Sequence, residues 1–515
     1  MILNSVTDLI HACHRQSTRP RTKDALRIAG APVRRQRTWS RIFLSVVLFG
    51  SALLSVGIGL SEDPQRLSQA TIKLPGSTQP AKLPTTYPHL LEATCYRIAL
   101  SPHPGMGRLD RDIQTAQRRD REALDPRSFL EQLGWLYVAK ARATCDQGFY
   151  KLAEQCAFAL EVAQPKSPEA MLLRGHVLNS FHRFAEAETI ARELVKQRVV
   201  PFDYGLLGDA LMEQGRVGDA VDAYQHMVDL KPDLQSYSRV AYVRWLKGDL
   251  DGAIEIAQLT ARASSPLDSE SASWAVTRLG LYYFQAGLLA DAKAACEVAL
   301  SYSADYPAAL LLKSRLLLSN EQIAEAVASA QRATDVNPLP EFQWTLADTL
   351  RLAGRPDDAA RVEADLTRGG AQDDPRTLAL FLATRGEQSG LAIELAQREF
   401  QSRADVFTHD ALAWALAAAG RLEEAQPHME KALAEGTVDA RLFLHAGVLE
   451  AKLGQTSSAT SYLTKARALQ RMLLPSEQKH LVAALDTLTR RRDIEKLSAR
   501  EDRLAKASPT EQRKD

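Results

Sequence analysis

The chain is 515 residues long with 45% hydrophobic and 25% charged residues, enough apolar content to exclude wholesale disorder. Lys and Arg number 64 against 63 Asp and Glu, and a net charge of +1 argues against a nucleic-acid binder. Five Cys in this length exclude a disulfide scaffold, while abundant Ala and Leu with sparse Pro and Gly point to helices.

Residues 1–41 hold nine basic residues against Asp8 and Asp24, a net of +7 that leaves −6 on the rest. Ile42 to Leu60 then runs 19 residues without a charge. At about 1.5 Å rise per residue this spans roughly 28 Å, the depth of a hydrocarbon core, so 42–60 is predicted to be a transmembrane helix. The basic flank precedes the apolar run, which places 1–41 in the cytoplasm as a basic tail and the rest of the chain across the membrane, periplasmic in a bacterium. A signal peptide cleaved to release a secreted protein is the alternative, although its apolar core is usually only 7–15 residues. Residues 61–87 carry Pro64, Pro75, Pro80 and Pro84 among Ser, Thr and Gln and read as a linker. Residues 88–133, broken by SPHPGMG at 101–107, read as a helical N-terminal cap.

From residue 134 to 473 the chain repeats. Alanines 153, 187, 220, 253, 292, 326, 359, 392, 425 and 459 follow one another at steps of 33 or 34 residues, with one step of 39. A glycine sits five residues before this mark in seven units, at Gly148, Gly215, Gly248, Gly287, Gly354, Gly420 and Gly454. Two helices of about 14 residues joined by such a turn pack closely only where side chains are small, and one hairpin cannot bury its own apolar stripe. In the second unit His182 replaces the glycine, so a looser corner is expected there. The long step contains 261–273, ARASSPLDSESAS, which reads as a longer loop or an extended helix end. Residues 474–515 begin at Ser476 with a helix whose Leu481, Leu485 and Leu488 share one face, and they read as a C-terminal capping helix and charged tail.

The spacing and the copy DYGLLGDALMEQGRVGDAVDAYQHMVDLKPD at 203–233 resemble the tetratricopeptide repeat (TPR). The stretch RADVFTHDALAWALAAAGRLEEA at 403–425 also looks like bacterial, membrane-anchored proteins with many such repeats. The resemblance implies an all-α fold, an α-solenoid of about ten helix-turn-helix repeats. Its concave groove would be lined by the first helix of each unit.

On that expected stripe fall Trp135, Trp245, Trp274, Trp344 and Trp414, every tryptophan of the repeat region, joined by Phe202, Tyr242, Phe284, Phe381 and Phe407. Arg315 and Asp348 alternate with them as charges that would set register. Large aromatic side chains give much contact area at low entropic cost, so these residues are expected to form the partner-binding groove. Replacing Trp245 and Trp344 with Ala is then expected to abolish capture with little effect on melting.

No Gly-rich phosphate loop, G-x-S-x-G, H-E-x-x-H or paired C-x-x-C occurs, so no enzyme, cofactor or metal site is expected. His409-Asp410 reads as a solvent-facing histidine beside a helix-start carboxylate. Cys145 and Cys156 lie on opposite helices of the first unit, with a disulfide and simple packing both open. The expected function is a membrane-anchored interaction module that binds a protein or peptide partner. The second reading is a self-associating scaffold or assembly factor of an envelope or secretion complex, a homo-oligomer.

Overall fold

The computed structural model describes residues 89–90, 93–122 and 125–507. The basic tail, the expected membrane helix at 42–60 and the linker lie outside these residues. Among the described residues no helix is long and apolar enough to cross a membrane.

Two helices, α1 (Thr94–Ala99) and α2 (Arg108–Glu122), precede the repeats. The α2 carboxylate Asp110 is gripped by Lys140 Nζ and His103 Nε2, each at 2.8 Å. Those two bonds, Lys140 first, hold its carboxyl well below the usual range and tie the cap to the first hairpin.

Ten helical hairpins follow. The first five are α3 (Arg127–Thr144) with α4 (Gly148–Ala163), α5 (Pro168–Ser180) with α6 (Phe184–Gln197), α7 (Pro201–Glu213) with α8 (Val217–Leu230), α9 (Leu234–Leu246) with α10 (Leu250–Arg262), and α11 (Ser269–Ala286) with α12 (Leu289–Tyr302). The second five are α13 (Pro307–Ser319) with α14 (Ile323–Val336), α15 (Pro340–Leu352) with α16 (Pro356–Asp373), α17 (Pro375–Arg385) with α18 (Ser389–Ser402), α19 (Val406–Ala418) with α20 (Leu422–Leu433), and α21 (Ala440–Lys452) with α22 (Thr456–Ala468). A final helix, α23 (Pro475–Ala507), closes the array. No strand occurs among the described residues.

The helix starts are set locally. Pro occupies the first turn of α5, α7, α13, α15, α16 and α17, where a missing N–H costs nothing. Asp233, Asp249, Asp268, Asp374, Asp405 and Asp439 cap helices by accepting backbone N–H bonds. All ten marker alanines are fully buried, which is what lets the two helices of each hairpin touch. At Gly208 a Cβ would land on the Tyr224 ring, so the small residue there is dictated by its neighbour.

Three expectations change. Helix α3 begins at Arg127, so the border expected at 134 falls inside the first helix of the first hairpin. In that hairpin the left-handed corner residue is Cys145, with φ 57°, while Gly148 opens α4. In the second unit His182 itself adopts φ 58°, so its corner turns as the glycine corners do. The energetic cost of a left-handed non-glycine residue is accepted there in place of a looser turn.

The array then coils back onto itself. The backbone N–H of Ala404, in the loop before α19, donates to the Glu213 carbonyl at the end of α7 at 3.0 Å. The Thr437 hydroxyl, before α21, donates to the Leu246 carbonyl at the end of α9 at 2.6 Å. Both carbonyls are among those a helix end leaves without an internal partner. Gly215 and Gly248 make this approach possible. A Cβ on Gly215 would fall on the Ala404 carbonyl oxygen, and one on Gly248 would lie 2.6 Å from the Gly436 oxygen. The 261–273 insertion contributes to the same closure. It forms a loop and lengthens the start of α11, where Glu270 pairs with Arg142 of α3, while the Leu267 carbonyl accepts from Arg108 at 3.2 Å.

Candidate functional site: the concave face

First-helix residues meet chain from distant hairpins where the coil closes, and most of the aromatic stripe is covered there by the chain itself. Trp245 donates its indole N–H to Gln285 Oε1 at 2.8 Å and stacks on Phe407, whose hairpin lies five units later. Phe284 is fully buried. Trp344 is 1% exposed and donates to Ser476 Oγ at 3.2 Å, with the Arg441 guanidinium 5.2 Å above its ring and Phe381 edge-on. Trp414 donates to Thr384 Oγ1 at 3.0 Å and stacks on His445 with ring centroids 4.1 Å apart. Trp135 packs against His176 between the first two hairpins. Phe202 is half-buried beneath the Lys231 ammonium, and Arg315 donates to Glu341 at 2.8 Å.

Asp348 accepts from both the backbone N–H and the hydroxyl of Ser476, at 2.8 and 2.6 Å. Burial pushes its carboxyl up to about 6. A second buried charge cluster closes the coil near Ala404. Arg403 Nε lies 2.6 Å from Glu213, with Glu399 and Asp405 at 3.4 and 3.6 Å. Burial pushes the Glu213 carboxyl up to about 7 and holds the adjacent His182 down to about 3.

The reading of His409-Asp410 as a solvent-facing pair is corrected. Asp410 is buried and accepts from His445 Nδ1 at 2.9 Å, under Trp414, while His409 meets His428 Nδ1 to Nδ1 at 3.0 Å. Position 410 points inward on α19 and position 409 one step round the helix, so adjacent residues serve different neighbours. Cys145 and Cys156 do not form a disulfide with each other, and Cys156 is a buried packing residue of α4.

Among the described residues, one part of the concave face holds a cavity. This cavity, between α7 and α11, is walled by Tyr242, Trp274 and Tyr282, with Tyr224, Arg239 and Asp209 at its base. Arg239 and Asp209 neutralise one another at 2.8 and 2.5 Å, and Tyr224 donates to the same carboxylate. Arg278 lies 5.3 Å over the Tyr282 ring, and no carboxylate is within ion-pair distance of it among the described residues. Tyr242 and Trp274 are half-buried, so each keeps a face toward the cavity. Arg278 and Tyr282 are absent from the expected stripe. Their signal was present, since Trp274, Arg278 and Tyr282 recur every fourth residue along one helix face.

Ten stacked hairpins with a buried small residue at each crossing match one known repeat, whose family model, described as Tetratricopeptide repeat, covers residues 206–269 and 311–374. Within those two segments the repeats are tetratricopeptide repeats. Such repeats serve protein–protein interaction or assembly, and proteins built of them are generally non-enzymatic interaction modules. No curated protein matches the chain. Among solved structures it is similar to PilF of Pseudomonas aeruginosa at 14% identity and TM-score 0.34, over 39% of this chain and 90% of that one. A tetratricopeptide repeat protein of Parabacteroides merdae matches at 17% identity and TM-score 0.29, over 49% of this chain and 98% of that one. Human IFIT1, solved as a dimer with PPP-AAAA, matches at 13% identity and TM-score 0.40, over 70% of this chain and 86% of that one.

Proposed function

We propose that the chain is a tetratricopeptide-repeat binding module that takes a protein partner in the cavity walled by Tyr242, Trp274 and Tyr282. The anchoring role belongs to the apolar stretch 42–60, with the repeats outside the cytoplasm. The observation that carries the reading is the contrast along the stripe. Trp245, Trp344 and Trp414 are 7%, 1% and 3% exposed, whereas Trp274 is half-buried and lines the cavity beside Arg278. An apolar side chain of the partner would lie on Trp274, and an acidic group beside it would meet Arg278.

The test is in-cell photocrosslinking of the full chain from position 274, with the exposed position 255 as control. Capture of one protein species from 274 alone supports the reading. Equal capture from both positions, or none, rejects it, and capture of further copies of this chain replaces it with a self-associating scaffold. Protease protection of residues 1–41 in sealed cells, with loss of membrane attachment when 42–60 are deleted, checks the anchor.

A further inference from the structure

The start of α23 does two separable things. Leu481 and Leu488, with Leu473 ahead of the helix, cap the stack by packing on Ala459, Leu463 and Ala466 of α22. Residues 474–480 do something a cap does not require. They engage helices of hairpins 7, 8 and 10 through polar groups. Ser476 gives its N–H and its hydroxyl to Asp348 of α15 and receives the Trp344 indole N–H. Glu477 is 1% exposed and receives Arg441 Nε at 2.5 Å, while its other oxygen caps the Leu474 N–H at 2.7 Å. Arg441 also lies over the Trp344 ring and within 3.8 Å of Glu341. His480 bonds the Thr384 carbonyl at 2.6 Å and meets the Trp414 ring edge-on. Leu473 and Leu474, just ahead, are buried.

An aromatic wall, one acid for a hydroxyl and one arginine for a carboxylate amount to a recognition site. Buried ion pairs of this kind add less to stability than a well-packed apolar contact does, so the site is built for selectivity. We propose that hairpins 7–10 carry a second peptide-recognition site, centred on Trp344, Asp348 and Arg441. Its resident ligand is the chain's own Leu474–His480. Partner segments with the same chemistry, a hydroxyl residue and a glutamate at the start of a helix, compete for it. The segment is held in place by covalent attachment, which sets a high effective concentration that any competitor must overcome. This site is distinct from the Trp274 cavity and goes beyond the function proposed for that cavity.

The probe is a fluorescent synthetic peptide of residues 470–488, added to the full chain and to its Ser476→Ala/Glu477→Gln variant, which weakens the resident segment and leaves Leu481 and Leu488 alone. The peptide is expected to bind the variant at least tenfold more tightly than the parent. A peptide carrying the same Ser→Ala change is expected to lose at least tenfold. Equal binding to parent and variant, or indifference to the peptide's serine, overturns the proposal. If the double variant does not melt cooperatively, hydrogen exchange on the parent decides. Amides of 476–480 exchanging while those of α15 and α22 stay protected support a displaceable ligand, and exchange only with global unfolding overturns it. No cellular partner enters this assay and Trp274 is untouched, so its failure and failure of the crosslinking test are separate results.

Discussion

The Trp245 indole stacks on the Phe407 ring with centroids 5.7 Å and planes 15° apart, although the two belong to hairpins 4 and 9. The same indole donates to Gln285, whose side-chain amide in turn donates to the Val438 carbonyl of the next loop along. One tryptophan therefore joins two successive layers of the coil. Its replacement by Ala is expected to cost about 3–5 kcal/mol, since a large buried ring is lost and the Gln285 Oε1 is left without its donor. Urea unfolding of Trp245→Ala checks this. An unchanged midpoint would return Trp245 to the role of a free groove anchor.

Two corner glycines separate backbone conformation from close approach. Gly215 and Gly354 both have positive φ, 75° and 72°, but nothing lies within 4 Å of a Cβ at Gly354, whereas at Gly215 it meets the Ala404 carbonyl. Ala at 354 is expected to cost about 1–2 kcal/mol of conformational strain alone. Ala at 215 is expected to cost more and to loosen the coil, read as a larger radius of gyration by small-angle scattering for Gly215→Ala only.

Asp348 supplies a pH dependence with a definite sign. Its carboxyl is raised to about 6 from an ordinary 3.8, so the folded chain holds this proton more tightly than the unfolded one. Its contribution favours folding fully below about pH 4 and declines as pH rises to about 6, then levels, by about 3 kcal/mol in all. Asp348→Asn keeps an acceptor for Ser476 and removes the titration. Between pH 4.5 and 8 the variant should lose less stability than the parent, measured as the difference in unfolding free energy. A parallel pH profile for the two chains would show that the group does not titrate in that window.

Charge pairs should divide by exposure. Arg142 and Glu270, 13% and 24% exposed in their side chains, link the first hairpin to the insertion. Lys293 and Glu297 are 69% and 67% exposed. A double-mutant cycle on the first pair is expected to give a coupling of about 1–3 kcal/mol, and on the second less than about 0.5 kcal/mol. Similar couplings would mean that the insertion does not secure the closed coil.

Local chemistry was enough to write the hairpins. The spacing of Ala153 through Ala459, the glycine corners and the proline and aspartate helix starts depend on residues within one unit or its neighbour, and the buried alanines agree with it at all ten positions. The same periodicity placed the five tryptophans on the inner stripe. What it could not decide is which of them meet water. A 3.6-residue period fixes the direction of a side chain relative to its own helix, and it carries no information on what arrives from five hairpins later. That was settled by the pitch of the coil, which brings Ala404 to Glu213, Thr437 to Leu246 and Ser476 to Asp348. Once those loops and the start of α23 occupy the inner face, Trp245, Trp344 and Trp414 become core, while Trp274 lines a cavity and stays half-buried. Long-range closure depends on small rotations summed over many repeats, so it belongs to the tertiary structure and not to any single repeat.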